Sequence, residues 1–172
     1  MIAIHFGNVA VAKLLIANGA TVCYSPPDTN LTALHRCVRL AVAGSAKDSL
    51  EIMNALFAHG ANANQMDRAN ETALHKLMID AWFARHDEES MKKLYPIARC
   101  LVENGAILPT TINKKYVNGN PLWHIINSGE YVDEWPENVG TDHNMVLVGG
   151  GWVKKRDIVP RNNSSHGLGS ER

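Results

Sequence analysis

The chain has 172 residues, 45% of them hydrophobic, with 17 Lys plus Arg balanced by 17 Asp plus Glu. That length suffices for one domain with a sizeable core, and a formal net charge of zero argues against an electrostatic grip on nucleic acid or anionic membrane as the main business. Three widely spaced cysteines, Cys23, Cys37 and Cys100, with no C-x-x-C pair, favour a reducing, cytoplasmic setting over a disulfide framework.

The first 22 residues are apolar enough to raise a signal peptide or a membrane span. Both are rejected, because no basic n-region precedes the run, Lys13 interrupts it, and Gly7 and Gly19 break it. Ala3 to Phe6 instead reads as the tail of one helix and Gly7-Asn8 as a turn. Val9, Val11, Ala12, Leu14, Leu15 and Ile16 then give the apolar face of a second helix. This start lacks a polar cap, which leaves two alternatives: an excerpt from a longer chain with structure upstream, or a frayed apolar edge of Ile2, Ile4 and Phe6.

Thr32 is placed to cap the next helix, whose inner face carries Leu34, Cys37 and Val38 and which ends at Gly44-Ser45. Leu50 to Phe57 has helical spacing, with Gly60 as a left-handed stop. Glu71 to Arg85 reads as a long helix with Leu74, Leu77, Met78, Ala81 and Trp82 on one face. His86 to Ser90 reads as a charged, solvated break, and Met91 to Tyr95 as an extra turn. Pro96 is expected to open the following helix, where its missing N–H is harmless, in preference to kinking one continuous helix. Ile97, Ala98, Leu101 and Val102 pack inward, and Pro121, Leu122, His124, Ile125 and Ile126 form a short helix. The helical pattern stops after Gly129. Residues 130 to 142 are acidic; Met145 to Val148 and Trp152-Val153 flank three glycines and suggest a small hairpin. The Ser-, Asn- and Gly-rich end is expected to be disordered.

Two phrases alternate along this pattern. Thr32-Ala33-Leu34-His35 returns as Thr72-Ala73-Leu74-His75 and, degraded, as Asn120-Pro121-Leu122-Trp123. Leu15-Ile16-Ala17-Asn18-Gly19-Ala20 returns as Leu56 to Ala61 and as Leu101 to Ala106. The interleaved pair resembles the ankyrin repeat, in which a T-P-L-H phrase opens the first of two antiparallel helices and a G-A closes the second. The resemblance covers residues 3 to 127, with Ala in place of Pro in the two clear copies and Thr lost from the third. It implies an all-α solenoid of about three and a half helix-turn-helix units, the second and third extended. Its units span about residues 1–27, 28–66, 67–115 and 116–129, followed by an irregular cap over 130–160 and a tail over 161–172.

The resemblance also implies a monomeric protein-interaction module, not an enzyme, with no cofactor, no metal, and neither nucleic acid nor membrane as partner. Partner-facing positions would be the loop residues Asp28, Thr29, Leu31, Arg68, Ala69, Glu71, Tyr116 and Val117, and the helix ends His5, Phe6, Arg39, Leu40, Ile79, Asp80 and Asn127. Phe6, Arg39, Arg68 and Tyr116 are the strongest of these, since aromatic and Arg side chains dominate interface energetics. Trp82, Phe83, His86 and Tyr95, around the extension of the third unit, form a second candidate surface. A rival reading is the recognition part of a larger enzyme or secreted bacterial effector whose catalytic domain lies outside this chain. A third is a hydrolase or transferase acting through Cys37 or His75.

The bland readings of the reactive side chains are the stronger ones. His35 and His75 are expected to hydrogen-bond within their own helix-opening turns and to neighbouring backbone. Cys37 and Cys100 read as packed thiols, and Cys23 as a loop residue. His35-Arg36-Cys37 lacks the spacing of a zinc site. Gly149 to Gly151 lacks the Lys-Ser/Thr ending of a phosphate loop, and Lys154-Lys155-Arg156 is too short for a nucleic-acid patch.

Overall fold

The computed structural model describes residues 2–27, 30–108, 113–117, 119–128, 145–148 and 151–154. Helices carry the fold: α1 (Ile2–His5), α2 (Val9–Ala17), α3 (Ala33–Val42), α4 (Ala46–Ala58), α5 (Ala73–Phe83), α6 (Glu88–Glu103), α7 (Lys114–Val117) and α8 (Pro121–Ser128). A two-stranded antiparallel ribbon, β1 (Met145–Val148) and β2 (Gly151–Lys154), places Val148 opposite Gly151 and Met145 opposite Lys154. The acidic run over 130–142 and the tail over 161–172 lie outside the described residues.

Successive helices form hairpins, α1 with α2, α3 with α4 and α5 with α6. The hairpins lie side by side in two layers. In one, α1 packs on α3, α3 on α5, and α5 on α7 and α8; in the other, α2 packs on α4, α4 on α6 and α6 on α8. Leu34, Leu74 and Leu122, each the second residue of its helix, are all buried in the same continuous core. Among the described residues no helix is long and apolar enough to cross a membrane.

The repeated phrases are repeated devices. Thr32 and Thr72 hold extended backbone ahead of α3 and α5, and each closes a reciprocal capping box with the histidine three residues on. Thr32 Oγ1 accepts from the His35 amide while the Thr32 amide donates to His35 Nδ1 at 3.3 Å. In the degraded copy, Asn120 Oδ1 accepts from the Trp123 amide at 3.2 Å, so asparagine does the work of the lost threonine. The second phrase ends three helices alike. Ala20, Ala61 and Ala106 each donate to the carbonyl five residues back, at Leu15, Leu56 and Leu101. Gly19, Gly60 and Gly105 hold φ of 81°, 82° and 86°, the left-handed turn this stop requires.

Two expectations are corrected. The helix α6 runs unbroken from Glu88 to Glu103 with Pro96 inside it. Pro96 and Lys92 both lie on the exposed face, so the Lys92 carbonyl deprived of its donor stays hydrated. Met91, Leu94, Tyr95, Ile97, Ala98 and Leu101 bury the opposite face on both sides of the proline and hold the helix together. The charged break is correspondingly short. Asp87 caps α6, its side chain accepting from the Glu89 amide, and Glu88 and Glu89 become a first turn whose charge suits the helix dipole. In the same way α4 starts at Ala46, so part of the extra length of the second hairpin is helix rather than turn.

Candidate functional site

The turn ahead of α5 is built from one aspartate. Asp67 Oδ1 accepts from the Ala69 and Glu71 amides at 2.8 and 3.0 Å, and the Asp67 amide donates to the Glu71 carbonyl. Asn70 supplies the left-handed residue, φ 57°, as Asn30 does ahead of α3 with φ 52°. Lys76 reaches back from α5 to pair with Asp67 at 3.2 Å and with Glu71. Burial pushes Asp67 up, but the two amides and Lys76 outweigh it and hold the carboxyl below its usual range. Burial likewise pulls Lys76 down, and its two carboxylates more than restore it, leaving its pKa raised. Arg68 and Ala69 stand exposed at the tip, whereas Glu71 is committed inward. Its carbonyl also accepts from His35 Nε2 of the preceding hairpin at 2.9 Å. Leu31 is half-buried, and Asp28 and Thr29 lie outside the described residues.

The helix ends form a second row. Phe6 is 76% exposed and meets His5 edge-on at 5.0 Å. Arg39 is exposed, and Leu40 is half-buried against Gly7, whose φ of 65° favours glycine and where a Cβ would come within 3.3 Å of Leu40 Cδ1. His5, Arg36, Arg39, Leu40 and Ala43 line a pocket of about 130 Å³. Ile79 and Asp80 are half-buried, and Asn127 is exposed. Burial raises the Asp80 pKa, only partly offset by Lys76 and Arg39 nearby. Asp80 also borders a wider cleft of about 380 Å³ with Val42, Phe83, Ser90, Lys93 and Leu94.

At the far end Trp82, Phe83 and Tyr116 cluster, with ring centroids of Trp82 5.1 Å from Phe83 and 5.4 Å from Tyr116. Arg85 stacks over Trp82 at 4.0 Å and Lys115 over Tyr116 at 4.5 Å. Tyr116 thus joins the second candidate surface. Tyr95 leaves it: only 1% exposed, it belongs to the core. His86 is exposed.

The reactive side chains are packed. Cys37 is fully buried, and burial drives its thiol far above the usual range; Cys100, beside Asn54, is pushed up to about 11. A thiol held protonated is a poor nucleophile. Cys23 is exposed and all three cysteines are free. His35 Nδ1 faces the Thr32 amide and hydroxyl as acceptor, so the ring proton sits on Nε2 and points at Glu71. Burial lowers the pKa of both His35 and His75. Among the described residues no three His, Cys, Asp or Glu side chains gather as a metal site.

Three polar residues escape sequence reasoning. Asn64 donates to the Gly105 carbonyl at 2.8 Å and accepts from the Ile107 amide at 2.9 Å, tying its loop to the next one. Gln65 donates to the Cys23 carbonyl at 3.0 Å, tying it to the previous one. Asn120, besides capping α8, donates to the Met78 carbonyl in α5. A loop asparagine carries no periodic signal; only its place after the Gly-Ala stop marks Asn64. Comparison with models of known protein families finds none that matches the chain, and comparison with curated proteins finds none that aligns significantly.

Proposed function

We propose that this chain is an ankyrin-type protein-interaction module that captures a partner protein through its loop tips and helix ends. The observation that carries the reading is the identity of the devices. Two Thr–His capping boxes and three Gly-Ala stops occur in alternation, on hairpins that pack first helix on first helix and second on second. Such stacking spends each hairpin's apolar faces on its neighbours and leaves loop tips and helix ends in register for recognition. A preformed surface of this kind avoids ordering costs on binding. The module acts as a monomeric adaptor or inhibitor in a reducing, cytoplasmic setting, which its three unpaired cysteines favour.

Phe6, Arg39, Arg68 and Tyr116 are the proposed anchors, with Asp28, Leu31, Leu40, Glu71, Ile79 and Asp80 around them. Arg39 and Arg68 are both exposed and stand on different hairpins. The double substitution Arg39→Ala with Arg68→Ala is expected to weaken capture of the partner by tenfold or more, on the order of 1–2 kcal/mol per hot spot, with the thermal midpoint nearly unchanged. Affinity by calorimetry and melting by circular dichroism check this together. A drop of many degrees in the midpoint would make the arginines structural instead.

A further inference from the structure

The second helices of the hairpins occupy equivalent places, so one position can be followed along the stack. Counted back from the Gly-Ala stops, Val11, Leu14 and Leu15 of α2 correspond to Ile52, Ala55 and Leu56 of α4 and to Ile97, Cys100 and Leu101 of α6. Ile52, Leu56, Ile97 and Leu101 are at most 1% exposed, whereas Val11, Leu14 and Leu15 are 42%, 63% and 48% exposed. This side of each helix is turned to the preceding hairpin: Cys100 Sγ reaches Asn54 Oδ1 of α4 at 3.5 Å, and α4 in turn lies on α2. Twice, then, the molecule covers this side with the second helix of a neighbour, and among the described residues nothing covers it at α2. The helix α2 is also apolar around its whole circumference. Ala12 and Ile16 are buried on one side, Val11, Leu14 and Leu15 stand on another, and Lys13 is its one charged residue. Lys13 pairs with Glu51 of α4 at 3.8 Å, away from the stripe. A helix apolar on every side is ordinarily buried on every side.

We propose that the stripe of Val11, Leu14 and Leu15 seats an amphipathic helix of a partner protein, laid along α2 as α2 lies along α4. The inference rests on the protein-binding reading only in giving the helix to a partner; its surface is separate from the loop tips and helix ends. The molecule itself supplies the template, since a helix is what fills the equivalent side of α4 and of α6. An extended segment is disfavoured, because α2 spends its backbone groups within the helix and offers no strand edge. Ala10 and Ala17, both exposed, flank Leu14 with small side chains and let a second helix approach closely. The stripe holds no charge, so the seated face is apolar at helical spacing, with its charged residues left in water at the rim.

The experiment is an NMR titration of the full, ¹⁵N-labelled chain with a synthetic peptide of residues 46–60, the helix that covers the equivalent side of α6. A side-chain staple holds the peptide helical, since so short a helix is marginal in water. Saturation is expected with a Kd of about 0.1–1 mM, and the largest amide shifts at Val11, Leu14 and Leu15. A stapled peptide of the same composition in scrambled order is expected to bind about tenfold more weakly. Leu14→Glu puts a charge into the seam and is expected to weaken binding about tenfold or more with native circular dichroism, and Leu15→Lys to do the same. The Arg39→Ala with Arg68→Ala chain is expected to bind the peptide like the parent, which separates this surface from the loop-tip and helix-end reading. Absence of saturation, equal affinity for the scrambled peptide, shifts centred away from α2, or a natively folded Leu14→Glu chain that titrates like the parent would each overturn the assignment. Concentration-dependent shifts of the same amides without peptide would make a second copy of the chain the occupant and overturn it too.

Discussion

The imidazole of His35 closes the turn in front of it with Nδ1 and reaches the Glu71 carbonyl of the next hairpin with Nε2. The bond to Nδ1 requires the neutral ring with its proton on Nε2, whereas the Nε2 bond to Glu71 survives protonation. Burial sets the folded pKa below the ordinary 6.5, opposed only in part by the Glu71 carbonyl and Asp67. The unfolded chain therefore takes up the proton first as pH falls. The stabilisation is complete above pH 6.5 and drains away as pH drops below it toward the folded pKa. Urea unfolding between pH 7 and 5 is expected to show stability falling, with His35 contributing a slope of at most about 1.4 kcal/mol per pH unit. Glutamine also suits this capping position, so His35→Gln is expected to keep the helix start and flatten the curve. His75 and His124, whose pKa values burial also lowers, leave a residual slope. An unchanged curve in His35→Gln would remove the linkage from this ring.

Among the elements, the hairpins announce themselves in the sequence and their fastenings do not. The capped starts and glycine stops are written as local residue choices, so Thr32, Thr72, Gly19, Gly60 and Gly105 could be read with a mechanism attached. Pro96 misled because a proline inside a helix is judged by which face it occupies, and that is a property of the packed molecule. Asn64, Gln65 and Asn120 were missed for a related reason: their partners lie in other hairpins, far along the chain. For the candidate site, Arg39 and Leu40 were legible as helix-end positions. Arg36, which lines the same pocket, sits beside the repeated phrase and gives no signal of its own. The loop-to-loop bonds have a measurable worth. Asn64→Ala removes the bonds to the Gly105 carbonyl and the Ile107 amide, both at the exposed surface, and is expected to cost about 0.5–1.5 kcal/mol in urea unfolding. A loss below a few tenths would mean water replaces both bonds.

At the scale of the molecule, one continuous core joins α1 to α8, and the three thiols sample it at different depths. Labelling with a thiol reagent under native conditions is expected to consume Cys23 first and Cys100 far more slowly. Cys37, fully buried and held protonated, is expected to react only when the structure opens. Fast modification of Cys37 would reopen the reading of that thiol as a nucleophile. The same ordering reports on the stack as a whole, because a hairpin that leaves its neighbours exposes the seam between them.

That seam has an uneven fastening. The Asp67 turn is clamped by Lys76 and joined to the preceding hairpin through His35, while the loop after α2 meets the loop after α4 through Gln65, and the loop after α4 meets the loop after α6 through Asn64. Under tension applied between its two ends the molecule is therefore expected to come apart like a zip with one stiff tooth. Optical-trap records would show the first hairpin peeling away at low force and a firmer step where α3 parts from α5; a single rip of the full length would contradict it.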